Sequence, residues 1–166
     1  MLVQLASSIQ KDSIVDGLGI RSVIWFQGCS HNCKECHNPE THDLLGGYSV
    51  SLEDIYKEID NLEFQDGITL SGGDPFFQVE AATKIAEYAH KKGLNVWSYT
   101  GFVYEDLIKN KDKYLKLLSN IDVLIDGPFM INKKSFSCKF RGSTNQRIID
   151  MNETLKKGVL VLHDEN

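Results

Sequence analysis

Cys29, Cys33 and Cys36 are spaced C-x3-C-x2-C on one short stretch that follows an apolar run. Thiolates are soft ligands suited to iron–sulfur clusters. Three of them on one loop can hold three irons of a four-iron cube and leave the last iron open, so that a substrate can chelate it. Zinc is the competing chemistry, and it requires a fourth protein ligand. His37 follows Cys36 directly and is badly spaced to share its ion, while Cys138 lies far downstream and could complete such a site only through the fold. The cysteines alone leave both readings open, beside those of a redox pair and of incidental thiols.

Length and composition bound what can position these residues. A chain of 166 residues, 42% hydrophobic, suits a single domain over 1–166 with a full core. The net charge of −5 and the lack of a Lys/Arg stripe speak against a nucleic-acid surface, Lys133 and Lys134 being too few to supply one. No apolar run has the length of a membrane span, and residues 1–13 are too interrupted by polar side chains to be a secretory signal. A cytoplasmic location is therefore expected, and in that reducing compartment four cysteines do not read as a disulfide framework.

Apolar and amphipathic stretches alternate in a βα rhythm, with no internal repeat, low-complexity stretch or linker. Strands are expected at 21–26, 67–70, 94–99, 121–125, 146–149 and 159–162. Their continuous apolar character fits strands buried on both faces of a largely parallel sheet, in an α/β fold. Ser51-Leu52-Glu53-Asp54 reads as a capping box opening a helix to about residue 62. Pro75 stands near the start of a second helix ending before Gly93, with Ala82, Ile85, Ala86 and Ala89 as its core-facing stripe. A third helix is expected over 104–118.

In parallel βα folds, binding residues collect at the carboxyl ends of strands. Four such ends carry candidate motifs: the cysteine loop, Ser71-Gly72-Gly73-Asp74-Pro75, Tyr99-Thr100-Gly101 and Asp126-Gly127-Pro128. Gly72-Gly73 reads either as a plain turn or as a place where bare backbone carbonyls approach a ligand's ammonium group, with Asp74 adding negative charge. Asp126 follows an apolar run, where a carboxylate without a partner is expensive; it either binds something or caps the next turn. Thr100 is otherwise an ordinary strand-end hydroxyl. Asp16-Gly17-Leu18-Gly19 reads as an architectural turn.

Taken together, these segments resemble the radical S-adenosylmethionine (SAM) superfamily, and within it the activators of glycyl-radical enzymes. Residues 28–41, GCSHNCKECHNPET, are similar to the cluster loop of anaerobic ribonucleoside-triphosphate reductase activators, and Ser71 to Pro75 to their methionine-binding glycine motif. Asp126-Gly127-Pro128-Phe129 and Arg141-Gly142-Ser143-Thr144-Asn145-Gln146-Arg147 resemble further signatures of that group. The sequence departs from the pattern at three places: Glu35 replaces an aromatic residue before the third cysteine, Leu18 a proline, and His42 a tryptophan.

The resemblance implies a partial βα barrel with a curved, mostly parallel sheet, open on one side. It implies a [4Fe–4S] cluster on Cys29, Cys33 and Cys36, and SAM held by Glu35, Cys36 and His37 on the adenine side and by Gly72, Gly73 and Asp74 at the methionine ammonium. Thr100 and Asp126 lie where related activators bind SAM or a nearby cation. The implied reaction is reductive cleavage of SAM to methionine and a 5′-deoxyadenosyl radical, which takes a hydrogen from a glycine of the reductase's large catalytic subunit. A low-potential electron donor is required, homodimerisation stays open, and no side chain is needed as general acid or base. His31, His37, His42, His90 and His163 read as surface residues or supports behind the ligands, His37 having the best claim to more. The region 130–140 is a candidate for contacting the partner, or a plain connection. Two rival functions stand beside this one: a radical enzyme acting on another glycyl-radical partner or a deazapurine precursor, and a non-catalytic zinc or electron-transfer module. On the ligand-approach reading of the glycines, a bulky residue at Gly73 would obstruct SAM and spare the cluster.

Replacing any of Cys29, Cys33 or Cys36 with Ala is expected to abolish cluster retention after anaerobic reconstitution, whereas Cys138→Ala keeps the full iron content. Iron and sulfide analysis decides this, and a requirement for Cys138 would contradict the open-iron reading.

Overall fold

Eight strands form one mixed sheet in a computed structural model that describes residues 1–164. In chain order the elements are β1 (Leu2–Leu5), β2 (Gln10–Ser13), β3 (Arg21–Phe26), β4 (Tyr48–Ser51), α1 (Leu52–Asp60), β5 (Gly67–Gly72), α2 (Val79–Lys91), β6 (Asn95–Tyr99), α3 (Tyr104–Lys109), α4 (Lys111–Leu118), β7 (Val123–Asp126), β8 (Arg147–Asp150) and α5 (Met151–Lys157). The sheet order is β4-β1-β3-β5-β6-β7-β8, with β2 also pairing β3. The neighbours β3, β5, β6 and β7 are parallel, and helices make their crossovers. The flanks are antiparallel.

The largely parallel sheet expected from the sequence is thus realised in its centre and corrected at its edges. β2, Gln10-Lys11-Asp12-Ser13, has no apolar pattern and exists by pairing with β3. The strand expected at 159–162 is instead a single bridge between Ile149 and Leu162. The expected third helix breaks at Asn110, whose φ of −114° and ψ of 64° are not helical. No helix is expected from the sequence at α5, although Asp150 accepts from Glu153 N at 3.0 Å, a cap whose residue spacing is visible in the sequence.

Alternation along the central strands sorts side chains to two sides. Ile24, Phe26, Ile68, Leu70, Val96 and Leu124 face the helices and join Ile55, Ile59, Ile85, Leu117 and Leu118 in the main core. Ala82, Ile85, Ala86 and Ala89 are fully buried there, so the stripe on α2 is core packing. Each large apolar side chain contributes about 1.5–3 kcal/mol by burial. On the opposite face Trp97, Val123, Ile125 and Ile148 form a smaller cluster. The amino-terminal end of that face is filled by Arg21, fully buried, with Nε donating to Thr69 Oγ1 at 2.8 Å, Nη1 to Leu18 O at 2.9 Å and Nη2 to Ile68 O at 2.7 Å. Burial lowers the Arg21 pKa to about 10, against the attraction of Asp66, Asp122 and Asp16. The carboxyl-terminal end of the same face stays open, and the candidate motifs gather there. Among the described residues, no helix is long and apolar enough to cross a membrane.

The last turn of α2 is tied to the start of β7 by His90, whose Nε2 lies 2.8 Å from Asp122 Oδ2. Asp122 also accepts from Val96 N at 2.8 Å and Asn152 Nδ2 at 3.0 Å. The hydrogen bond that His90 donates to Asp122 raises the His90 pKa against a smaller desolvation effect. Because the folded value lies above the ordinary 6.5, this stabilisation is complete below that pH and is lost as pH rises through the folded pKa. His90→Ala is expected to lower unfolding stability by about 1 kcal/mol at acidic pH and by less at alkaline pH. Urea denaturation at the two pH values measures the difference, and an equal loss at both would contradict the assignment.

Candidate functional site

β3 delivers the chain to the carboxyl-terminal edge, where the cysteine loop is closed at its base. Gly28 N donates to Thr41 O at 2.7 Å and Cys29 N to His42 O at 3.2 Å, so the two ends of the loop pair with each other. The buried Gln27 side chain braces the returning chain through Glu40 O at 3.2 Å and Asp43 O at 2.8 Å. Asn32 and Glu35, each at φ 55°, adopt the left-handed conformation immediately before Cys33 and Cys36. That conformation suits Asn and is strained for Glu.

Cys29 is buried, and Cys33 and Cys36 are partly buried. Burial pushes the Cys29 thiol up to about 11, with Asp74, Cys33 and Cys36 adding to the rise and the His31 backbone N–H opposing it. Burial also raises Cys33, whose sulfur receives the backbone N–H of Phe129 from the loop after β7. Metal must therefore displace protons on binding, as thiolate sites require. Among the described residues, no three His, Cys, Asp or Glu side chains converge on a point suited to a single ion. A cube makes no such demand, since each of its protein ligands binds a different iron. Three soft donors on one loop fit that group.

A cavity of about 410 Å³ opens beside the loop, within the roughly 300–1,000 Å³ range of small-molecule sites. Its walls include Cys36, His37, Asn38, Ser71, Gly72 and Tyr99. His37 leans on Phe129, with ring centroids 4.8 Å apart, and a Cβ at Gly142 would come within 3.1 Å of the His37 ring. Tyr99 donates to Phe140 O at 2.6 Å. The segment 141–147 is shaped by Gln146, whose Oε1 accepts from Gly142 N at 2.9 Å and whose Nε2 donates to Gly127 O at 3.1 Å. Phe129, Phe140 and Gln146 are not singled out individually by sequence reasoning, although Phe129 and Gln146 fall within the two downstream signatures and Phe140 within the region 130–140.

Of the residues expected around SAM, Cys36, His37 and Gly72 line the cavity. Glu35 points to solvent. At Gly73 a Cβ would lie 2.5 Å from Gly28 O and 2.8 Å from Thr41 O, so its missing side chain also makes room for the base of the cysteine loop, a reason for glycine there beside the ligand-approach reading. Gly72, at φ 104°, would likewise strike Phe26 O at 2.3 Å. Asp74 is fully buried, accepting from Phe76 N at 2.9 Å on Oδ1 and from Thr100 Oγ1 and Gly101 N, both at 2.9 Å, on Oδ2. Asp126 is buried against Arg147, with Nε donating to Oδ1 at 3.0 Å, and also accepts from Tyr104 N at 2.8 Å. Arg147 in turn reaches Glu105 Oε1 at 2.9 Å. Asp74, Thr100 and Asp126 therefore hold the frame around the cavity and do not face it.

Gly73→Val is expected to disturb the loop as well as any ligand, lowering unfolding stability by about 1–3 kcal/mol and reducing iron incorporation together with SAM binding. Full iron content and unchanged stability, with SAM binding alone lost, would instead support the ligand-approach reading by itself.

A family described as a 4Fe-4S single cluster domain matches residues 15–149. The anaerobic ribonucleoside-triphosphate reductase-activating proteins of Vibrio cholerae and Haemophilus influenzae are each 32% identical to the chain, over 143 and 145 residues, covering 81% of this chain and 90% of each relative. The pyruvate formate-lyase-activating enzyme of Clostridium pasteurianum is 32% identical over 133 residues, 74% of this chain, and the chain spans only 55% of that relative's length. The cysteine loop lies inside the matched region, and the reductase activators are covered over nearly their whole length: the chain belongs to the 4Fe-4S single cluster domain family, among the anaerobic ribonucleoside-triphosphate reductase-activating proteins.

Proposed function

We propose that this protein is an activating enzyme that places a glycyl radical on the large catalytic subunit of anaerobic ribonucleoside-triphosphate reductase. The observation that carries the reading is the position of the three-cysteine loop, at the end of β3 and on the wall of a cavity floored by Gly72. When bound, a reduced [4Fe–4S] cluster and SAM supply a one-electron cleavage of the S–C5′ bond, giving methionine and a 5′-deoxyadenosyl radical that abstracts the glycine hydrogen.

The chain's own part is binding, orientation and exclusion of water. Cys29, Cys33 and Cys36 hold the cluster, and Cys36, His37 and Gly72 receive SAM, with the backbone of Glu35 to His37 available to the adenine. Arg21 and Trp97 fill the far end of the inner face, which leaves its carboxyl-terminal end for the ligand. No side chain is asked to act as acid or base. The sheet is read as a partial radical-SAM barrel within a single domain, its open side meeting the partner's glycine segment. A low-potential donor reduces the cluster, and a cytoplasmic location is proposed.

The test is anaerobic reconstitution followed by incubation with the large reductase subunit, SAM and a reductant. The expected result is a glycyl radical signal on the large subunit that requires all three additions. Vigorous SAM cleavage with no such signal would assign the chemistry to another partner or to a small molecule.

A further inference from the structure

His31 lies between the first two cysteines, yet its side chain turns inward and is only 15% exposed. Its Nε2–H donates to Asp74 Oδ2 at 2.6 Å. The ring is boxed by Phe102, edge-on at 4.5 Å between centroids, and by Phe77 at 5.4 Å. A Cβ at Gly101 would stand 2.5 Å from this ring, so the bare backbone there is what admits it.

The acceptor is not an ordinary surface carboxylate. Asp74 is fully buried and already fixed by Thr100, Gly101 and Phe76, so its position is set by the ends of β5 and β6. Its backbone N–H also donates to Gly28 O at 2.9 Å, directly before Cys29. One residue therefore grips the cysteine loop twice, through the main chain ahead of Cys29 and through the side chain ahead of Cys33. A charge-assisted hydrogen bond to a buried carboxylate is among the stronger polar contacts available, and leaving that oxygen short of a donor is costly.

We propose that His31 is a positioning residue, a latch that seats the cysteine loop on Asp74 before iron arrives and thereby joins the cluster ligands and the glycine motif into one rigid unit. The proposal rests on the reading that Cys29, Cys33 and Cys36 hold the cluster, but its first test does not involve the reaction. His31→Gln retains an N–H donor, whereas His31→Ala and His31→Leu do not, and leucine keeps bulk between Phe77 and Phe102.

In the metal-free chain, amide hydrogen exchange over 29–41 is expected to rise about ten-fold in His31→Ala, with exchange in α2 unchanged, and to return most of the way in His31→Gln. In reconstituted protein, iron release to a chelator is expected to accelerate by about the same factor and to be rescued by the same substitution. If His31→Ala loses its fold, His31→Leu takes its place in both measurements. Unchanged exchange and iron release in the donor-free variant, or a Gln variant no better than Ala or Leu, would overturn the latch. Because the exchange measurement needs neither SAM nor the reductase, a failure of the proposed reaction would leave its outcome unaffected.

Discussion

Where β5 leaves the sheet, two residues without side chains lie against the backbone that carries the cysteines. Gly72 abuts Phe26 at the end of β3, and Gly73 abuts Gly28 and Thr41 at the base of the loop. The contact is set by excluded volume, since a single methyl group at either place would overlap main-chain atoms that have nowhere to go. It also aligns hydrogen bonds: Gly73 N donates to Phe26 O at 2.8 Å and Asp74 N to Gly28 O at 2.9 Å. A cluster loop is long and polar and would otherwise be poorly held. The glycine motif gives it a seat, and the same backbone forms part of the cavity wall.

The two faces of the sheet divide the remaining work. The helix-covered face holds most of the buried aliphatic side chains, and with them most of the driving force for folding. The other face has a smaller apolar cluster, a buried arginine at its amino-terminal end and open volume at its carboxyl-terminal end. Such a face can be polar and incompletely packed because the opposite side supplies the stability. Asp126, Arg147 and Glu105 tie β7, β8 and α3 together beside that volume, which keeps the wall in place without lending charge to the cavity.

The sequence made the chemistry legible and the carpentry only partly so. C-x3-C-x2-C is a local pattern, and the strands Arg21–Phe26 and Asn95–Tyr99 announce themselves by their β-branched and aromatic residues. β2 and β4 carry no such pattern, because an edge strand is held by its neighbour and needs little apolar content of its own. The expense of burying Asp126 correctly demanded a partner, but Arg147 is a distant residue that only the pairing of β7 with β8 brings alongside. Gly73 shows the same limit. A glycine signals close approach by something, and spacing does not say whether that something is a ligand or the protein's own chain.

On the proposed function, Cys29, Cys33 and Cys36 bind three irons of the cube and leave one to SAM. Mössbauer spectroscopy of the reconstituted, iron-57-labelled protein tests it most directly, by comparing spectra before and after SAM is added. One iron of the four is expected to shift on SAM addition while the other three do not. A spectrum in which all four irons are equivalent and indifferent to SAM, or a preparation that retains one zinc ion and no cluster, would contradict it.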